Sequence, residues 1–203
     1  NASPGLTIFR KDFIRYLVNQ GHQVHAFAID YTADSRETVS EFGAIPVDYS
    51  LNKSGLNIFK DLKDTWLLSK QLKKIQPDIV FSFFVKPSIY GTIAARIAKV
   101  PRRIAMLEGL GYIYTPLKNN FTFKKKILQY AHGLLVSIGY AFADKVLFLN
   151  RNDPVDLAKK SFINSKKFKV IGPIGLKLSS YPYTEVVITK PIRFIFIARM
   201  LVE

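Results

Sequence analysis

The stretch at residues 81–114, FSFFVKPSIYGTIAARIAKVPRRIAMLEGLGYIY, decides the fold. It reads as a strand, a loop, a helix rich in small residues, a second strand and a second loop. The nearly unbroken apolar run at 79–84 is typical of a central parallel strand covered on both faces. Both loops follow the carboxyl ends of strands, where open parallel sheets bind their ligands. The polar residues of these loops are therefore the first candidates for a functional site.

Strand and helix patterns alternate along most of the chain with short connections. Apolar spacing predicts helices at 9–18, 35–42, 60–74, 89–98, 121–142 and 154–160, and strands at 24–28, 44–47, 79–84, 103–107, 145–149 and 169–171. This order predicts an α/β fold with a doubly wound, mostly parallel, Rossmann-like sheet and helices on both faces. Because the chain begins with a loop and a helix, we expect the first strand of that sheet to be missing before residue 1.

The short polar residues before two of these helices are candidate N-caps. Ser35 precedes one helix, and Asn150 or Asn152 precedes another. Their side-chain oxygens can accept hydrogen bonds from the free amides of the first helical turn.

The amino-acid composition of the chain changes after residue 172. Residues 173–190 are rich in Gly, Pro, Ser and Thr and are predicted to be an inter-domain linker. Residues 192–198, IRFIFIA, have the apolar pattern of a buried strand. A lone strand could neither pair its edges nor bury both of its faces. We therefore assign 1–172 to the Rossmann-like domain and 191–203 to the opening strand of a second, truncated domain.

The charge of the chain favours phosphate-bearing partners. Thirty Lys and Arg residues against 15 Asp and Glu give a formal net charge of +15, which attracts nucleic acid, anionic membranes or substrates carrying a diphosphate. The basic residues are scattered and accompany neither a recognition helix nor a stacked-aromatic RNA signature. We therefore expect no nucleic-acid partner.

The rest of the composition argues against metal sites and membrane spans. The chain has no cysteine and three histidines, none at helical ligand spacing, so we expect no bound metal. Lack of cysteine is compatible with a reducing cytoplasm, and no signal peptide is visible. The apolar segment at 127–143 is interrupted by Gln129, His132 and Ser137, which favours a buried or interfacial helix over a membrane span.

The order and spacing of several short motifs resemble the amino-terminal half of retaining glycosyltransferases of family 4. The motifs are Phe9-Arg10, Gly21-His22-x-Val24, Gly55-Leu56-Asn57, Pro77-Asp78-Ile79-Val80, Lys86-Pro87-Ser88-Ile89-Tyr90-Gly91, Gly109-Leu110-Gly111-Tyr112, Asn150-x-x-Asp153 and Ala198-Arg199. The similarity is strongest to members that build bacterial capsule, O-antigen or lipid-linked glycans.

This resemblance implies a hexosyltransferase with two Rossmann-like lobes, the GT-B fold. The amino-terminal lobe would bind a saccharide or polyprenyl-linked acceptor, and the other lobe would bind the nucleotide-sugar donor. It implies transfer with retention, no required metal or cofactor, and a cytoplasmic enzyme peripheral to the inner face of the membrane. Since the donor lobe is absent, we expect no turnover by this chain alone.

The two loops supply most of the candidate site residues. We predict Lys86 and Glu108 as catalytic residues: the lysine to neutralise a leaving group or hold an acceptor phosphate, the glutamate to orient or deprotonate an acceptor hydroxyl. The predicted substrate-binding residues in these loops are Ser88, Tyr90, Gly109, Gly111 and Tyr112.

Four of the polar candidates also have a structural interpretation. Lys86 fits an ordinary surface lysine, Ser88 a helix cap and Tyr90 a packing residue. Glu108 fits a carboxylate paired with Arg102 or Arg103.

The ends of the chain supply three further substrate-binding candidates through the resemblance. Pro4-Gly5 matches the small-residue loop that approaches the donor phosphate or sugar, and a disordered terminus is the alternative. Arg199 matches the arginine that binds the donor diphosphate, although the Lys-Gly pair that usually follows it is absent. The alternative is an ordinary solvated arginine at the end of a strand.

A basic helix start supplies a candidate membrane contact. Lys124, Lys125 and Lys126 with the nearby Phe121 and Phe123 could rest on an anionic membrane. The alternative is a solvated basic helix start.

A function from another class fits the same pattern. A non-catalytic α/β module would use the same crevice to bind a nucleotide or a phosphorylated ligand.

Overall fold

A computed structural model describes residues 3–52, 58–109, 123–160, 163–175, 177–185, 191–192 and 194–196. The helices are α1 (Ser3–Thr7), α2 (Lys11–Asn19), α3 (Ala33–Glu41), α4 (Ile58–Ile75), α5 (Val85–Ile97), α6 (Phe123–Ala141) and α7 (Asn152–Lys160). The strands are β1 (His25–Ala28), β2 (Ile45–Asp48), β3 (Ile79–Phe83), β4 (Arg102–Leu107), β5 (Lys145–Phe148) and β6 (Phe168–Val170). Single 3₁₀ turns lie at Ser165–Lys167 and Leu178–Ser180.

All strand pairs of the described residues are parallel, as predicted, but they form two sheets. β1 pairs with β2, and the order in the second sheet is β3-β4-β5-β6. The two sheets are separate in the described residues because none of their strands joins β1 to β3. The strand expected before residue 1 stays a prediction.

Helices cover both faces of β3. The rings of Phe13, on α2, and Phe81 meet edge to face with their centroids 5.6 Å apart. The neighbouring residue Ser82 points to the opposite face, where its side chain lies against Gly91 of α5. Alternate residues of a strand face opposite sides of a sheet, so α2 and α5 lie on different faces, which confirms the doubly wound architecture.

The core is divided among three clusters of buried side chains. The first joins α5, α6 and α7 to β4 and β5, and includes Leu107, Tyr140 and Phe148. The second packs α1, α2 and α3 on Ala26 and Ala28 of β1. The other members are Ile89, Ala105, Val136, Ala143, Val146 and Leu157 in the first cluster, Leu6, Ile14, Val39, Phe42 and Ala44 in the second, and Leu72, Ala94, Ala95 and Val100 in the third, which lies between α4 and α5.

Several helix starts differ from the sequence predictions, and two of the differences affect the site. α5 begins at Val85, four residues earlier than predicted, so Lys86 and Ser88 are helical. Pro4 and Gly5 lie in α1 where a loop was predicted; Asp30 fixes the start of this helix, because its Oδ1 accepts from the Ser3 amide at 2.7 Å.

The helix caps are partly as predicted. Thr32, not Ser35, is the N-cap of α3, and Ser35 is its reciprocal partner: each side-chain oxygen accepts a hydrogen bond from the other residue's amide. Asn150 is confirmed as the cap before α7, since its Oδ1 accepts from the amides of Asn152 and Asp153 at 2.9 and 2.8 Å.

The strand predicted at 192–198 does not form at its described positions, which are 192 and 194–196. Phe194, Ile195 and Phe196 are 93%, 83% and 85% exposed. An apolar strand needs a neighbouring strand and a packing surface, and these residues have neither in the described part of the chain. The assignments of 173–190 as linker and 191–203 as the start of a second domain stay predictions.

Candidate functional site

The candidate site lies at the carboxyl ends of β3 and β4, which are adjacent and parallel. Lys86 enters α5 directly after β3, and Glu108 and Gly109 follow β4. α2 contributes Arg10, the residue just before its first turn. This edge of the sheet, which we call the rim, therefore collects side chains from three parts of the chain.

Arg10 and Glu108 form an ion pair in the rim. Their side chains are only 6% and 14% exposed, and the Arg10 guanidinium carbon lies 4.3 Å from the centroid of the Phe83 ring. Burial lowers the pKa of Arg10 from its ordinary value. The pairing of Glu108 with Arg102 or Arg103 that the sequence allowed does not occur; Arg103 binds Asp144 instead, at 2.9 Å.

The ion pair limits the chemistry open to Glu108. A carboxylate that orients or deprotonates a hydroxyl needs an oxygen within hydrogen-bond distance of that hydroxyl. In this structure Arg10 occupies one carboxylate oxygen and neutralises its charge. Arg10 was not among the predicted site residues because it lies at the start of a helix and not in a loop that follows a strand.

Lys86 lies in the rim but is bound to a buried acid. Its Nζ is 2.8 Å from Oδ1 of Asp61, whose side chain is 1% exposed. The Tyr90 hydroxyl donates to Oδ2 of the same carboxylate at 3.2 Å. Burial, together with the charge of Asp61, raises the pKa of Tyr90 to about 12, so this phenol stays protonated at neutral pH.

Ser88 and Tyr90 point into the protein. Ser88 is fully buried, and its hydroxyl shares a 2.6 Å hydrogen bond with that of Tyr140 on α6. Tyr90 is 4% exposed. Tyr90 is therefore a packing residue in this structure, which was the alternative that the sequence left open. Neither side chain reaches the solvent-accessible surface, where a substrate would lie.

The Pro4-Gly5 segment meets the rim through Phe84. A Cβ built on Gly5 would lie 3.7 Å from the Phe84 ring. Phe84 itself has φ 65° and ψ 163°, a conformation that L residues rarely adopt and that recurs at functional sites. Nothing in the sequence indicated this strained residue at the end of β3.

A second concave region, the β2 recess, lies beside the carboxyl end of β2. Its volume is about 810 Å³. It is lined by Ile29, Asp48, Tyr49, Ser50, Leu51, Asn52, Lys60, Leu67, Lys70 and Gln71. No sequence motif indicated this recess, because its polar residues follow a short strand and lie on the side of a helix rather than in one motif.

Of the remaining predicted site residues, Gly109 alone lies within the described part of the chain. Gly109 has φ 138°, and a Cβ there would meet nothing within 4 Å, so its backbone can face the crevice. Gly111, Tyr112 and Arg199 lie outside the described residues. Lys124, Lys125 and Lys126 belong to α6, but their side chains and the whole of Phe121 also lie outside the description.

The described residues contain neither a cluster of metal ligands nor a helix that could span a membrane. No group of three His, Asp or Glu side chains in that part of the chain is arranged to hold a metal ion. No helix in the same part is long and apolar enough to cross a membrane.

Two bacterial transferases resemble the chain in sequence. An N,N'-diacetylbacillosaminyl-diphospho-undecaprenol alpha-1,3-N-acetylgalactosaminyltransferase of Campylobacter jejuni is 26% identical over 181 residues, covering 89% of this chain and 46% of the relative. A UDP-Gal:alpha-D-GlcNAc-diphosphoundecaprenol alpha-1,3-galactosyltransferase of Escherichia coli is 28% identical over 126 residues, covering 62% and 30%. The chain thus spans less than half the length of these relatives.

Solved structures share the fold at low identity. MurG of Acinetobacter baumannii superimposes with a TM-score of 0.52 at 17% identity, covering 89% of this chain and 46% of that one. Anabaena HepE, solved with UDP and glucose, gives a TM-score of 0.58 at 14% identity, covering 91% and 45%. The family described as "Glycosyl transferase 4-like" matches residues 3–150, and with most of its sequence inside that match, this chain belongs to that family.

Proposed function

We propose that this chain is the acceptor-binding lobe of a glycosyltransferase. The reaction is transfer of a hexose-type sugar from a nucleotide-sugar to a lipid-linked or growing saccharide, with retention, in the synthesis of a bacterial surface or lipid-linked glycan. The observation that carries the proposal is the family match over residues 3–150, which includes the whole rim. The two relatives support the acceptor class, since both are named for sugars on a diphospho-undecaprenol carrier.

The charges of the rim and the β2 recess suit different parts of such an acceptor. In the rim, Arg10 and Lys86 are each paired with a carboxylate, so the edge is polar without a large net charge and suits hydroxyl groups. The recess is lined by Lys60 and Lys70 together with Asp48, whose carboxylate is paired with Arg36. Ammonium groups bind phosphate oxygens as point charges, so we assign the recess to the acceptor diphosphate.

The roles of single residues follow from this arrangement. Glu108 and Lys86 would act at the rim on the reacting hydroxyl and the departing phosphate, after exchange of their present ion-pair partners. Gly109, Gly111 and Tyr112 would contact the acceptor through backbone amides and the phenol. Pro4, Gly5 and Arg199 would face the donor, and Ser88 and Tyr90 would support the rim from inside rather than touch substrate.

The remaining parts of the proposal concern cofactors, partners and location. The nucleotide-sugar is a substrate, and we propose that no metal or other cofactor takes part. The enzyme would work at the cytoplasmic face of an anionic membrane, with no nucleic-acid partner. Its charge of +15 supports attraction to such a surface.

A transfer assay on the protein from the complete reading frame tests the proposal. It would be incubated with a panel of nucleotide-sugars and with saccharides linked to polyprenyl diphosphate, with and without a chelator. We expect one donor to give a product longer by one sugar, with the donor's anomeric configuration by NMR, and no loss with the chelator. Ligand binding without transfer across the panel would contradict the proposal and favour the non-catalytic module.

A further inference from the structure

The acidic and basic residues of helix α4 lie on different sides of the helix. Its two acidic residues, Asp61 and Asp64, are 1% and 5% exposed. All five of its lysines are exposed: Lys60, Lys63, Lys70, Lys73 and Lys74. The solvent side of the helix is therefore purely cationic, whereas ordinary surface helices mix both signs of charge.

The same solvent side carries large apolar residues. Phe59 is 88% exposed, Leu62 55% and Trp66 51%. At about 100° per residue these three side chains span roughly 60° of the helix circumference, and Lys70 and Lys63 border them on one side. We call these five residues the α4 face.

This combination of residues is typical of a helix that lies in a membrane interface. Such helices place Trp, Phe and Leu on one side and Lys or Arg beside them, so that apolar groups enter the lipid while the charges meet headgroups. Trp favours the interfacial region because its ring is apolar and its indole N–H is polar. The Lys70 ammonium lies 3.5 Å from the centroid of the Trp66 ring, which keeps charge and aromatic surface together.

The α4 face also has the right place in the molecule. Asp61, which lies between Phe59 and Leu62 in sequence, is bound to Lys86 of the rim at 2.8 Å. Lys60 and Lys70 of the same helix line the β2 recess. A surface on which α4 rested would therefore lie beside the β2 recess and one helix diameter, roughly 10 Å, from the rim.

We propose that the α4 face docks on an anionic lipid bilayer and brings the rim to acceptors held in that bilayer. This rests on the proposed function for its biological meaning. It assigns the membrane contact to α4, in addition to the basic start of α6. The charge complementarity selects an anionic bilayer over an apolar protein partner, because a protein groove would have to bury the flanking lysines.

The chain contains a single tryptophan, and it lies in the α4 face, so intrinsic fluorescence reports docking directly. The full chain would be titrated with vesicles of phosphatidylglycerol and phosphatidylcholine, with pure phosphatidylcholine vesicles as the comparison. We expect the Trp66 emission to shift to the blue and to be quenched by brominated acyl chains on anionic vesicles only. Added salt should reverse the effect.

Paired variants separate the α4 face from net charge. Lys63→Glu with Lys70→Glu should weaken vesicle binding at least about 25-fold, since each lost lysine accounts for about fivefold. Lys166→Glu with Lys169→Glu changes the same number of charges at other exposed lysines and should change binding less than about threefold if the contact is local. Phe59→Ser, at an exposed site where folding is insensitive, should weaken binding without changing the circular dichroism spectrum.

Three outcomes would overturn the inference. They are unshifted Trp66 emission on anionic vesicles, equal losses in the two lysine pairs, or a blue shift that depends on protein concentration without lipid, which would indicate a second copy on the α4 face. The assay contains neither donor nor acceptor. A protein that transfers sugar but ignores vesicles would therefore refute this inference alone, and one that binds vesicles but transfers nothing would refute only the proposed function.

Discussion

Lys86 Nζ lies 2.8 Å from Oδ1 of Asp61, which joins the second residue of α5 to the first turn of α4. The acid is almost completely buried, while the lysine keeps 21% of its side chain exposed. The pair therefore fixes the helix that carries the α4 face to the rim that carries the candidate site. Lys86 therefore has a structural role that is independent of the catalytic role proposed for it.

Replacing one member of this pair should destabilise the protein strongly. Lys86→Met leaves the Asp61 carboxylate buried without its cation, which costs about 3–5 kcal/mol of unfolding free energy. The double variant with Asp61→Asn removes both charges and should recover most of this loss. Urea unfolding followed by circular dichroism measures each step.

The double variant also tests the proposed catalytic role of Lys86. If the lysine stabilises the leaving group, transfer by the complete protein should stay low in the double variant although its fold is restored. Full recovery of transfer with the fold would show that the lysine acts only through Asp61.

The Arg10–Glu108 pair permits a similar test of the proposed base. Glu108→Gln leaves Arg10 buried without a counter-charge and should cost about 3 kcal/mol, and addition of Arg10→Met should restore most of the stability. If Glu108 accepts a proton, kcat stays low in both variants while KM changes little. The more exposed pair Arg103 and Asp144, with side chains 17% and 45% exposed, is the control, and its removal should cost less, about 1 kcal/mol.

The fold was predictable because it depends on patterns repeated along the chain. The apolar run at 79–83 and the small-residue helix after it correctly indicated a parallel sheet with helices on both faces. The start of α5 was misplaced because Pro87 was taken as part of a loop, although proline is tolerated in the first turn of a helix. The break into two sheets could not be predicted, since it depends on pairing and not on the pattern of any one strand.

The site was less predictable because its geometry comes from partners distant in sequence. Lys86 and Glu108 were found from their positions after strands, but Asp61 and Arg10, which bind them, lie 25 and 98 residues away. Asp61 could have been identified from the sequence because it is an acidic residue on the side of α4 that faces the core. Ser88 was misjudged for the same reason, since its partner Tyr140 is 52 residues away.

Close helix packing predicts a strong effect at Gly139. A Cβ at this position on α6 would lie 2.8 Å from Cγ2 and 3.0 Å from Cα of Ile89 on α5. Because the Ile89 backbone cannot move aside freely, Gly139→Ala should cost about 1–3 kcal/mol, more than the helix propensity that alanine adds. Thermal unfolding measures the loss.

Gly175→Ala is the matched control for this substitution. A Cβ there would meet nothing within 4 Å, and the free energy of unfolding should change by less than about 0.5 kcal/mol. Equal effects at the two glycines would contradict the packing of α5 against α6.

The hydrogen bond from Tyr90 to Asp61 predicts a dependence of stability on alkaline pH. Burial, with the nearby Asp61 charge, raises the pKa of Tyr90 from 10.0 to about 12. A group whose pKa is higher in the folded state contributes its full stability below its unfolded pKa and loses it as pH rises to the folded value. The stabilisation due to the Tyr90 hydroxyl should therefore be complete at pH 9 and decline between about pH 10 and 12.

Tyr90→Phe isolates this effect from the other phenols. The pKa of Tyr31 is also raised to about 12, and that of Tyr49 is raised, mainly by burial. The free energy of unfolding should therefore fall at high pH in both the original protein and Tyr90→Phe. At pH 8 we expect the free energy of unfolding of the original protein to be about 0.5–1.5 kcal/mol higher than that of Tyr90→Phe, which is the net value of one buried hydrogen bond. This advantage should shrink from pH 10 upwards in urea unfolding, and a difference that stays constant to pH 12 would show that Tyr90 ionises as freely in the folded protein as in the unfolded chain.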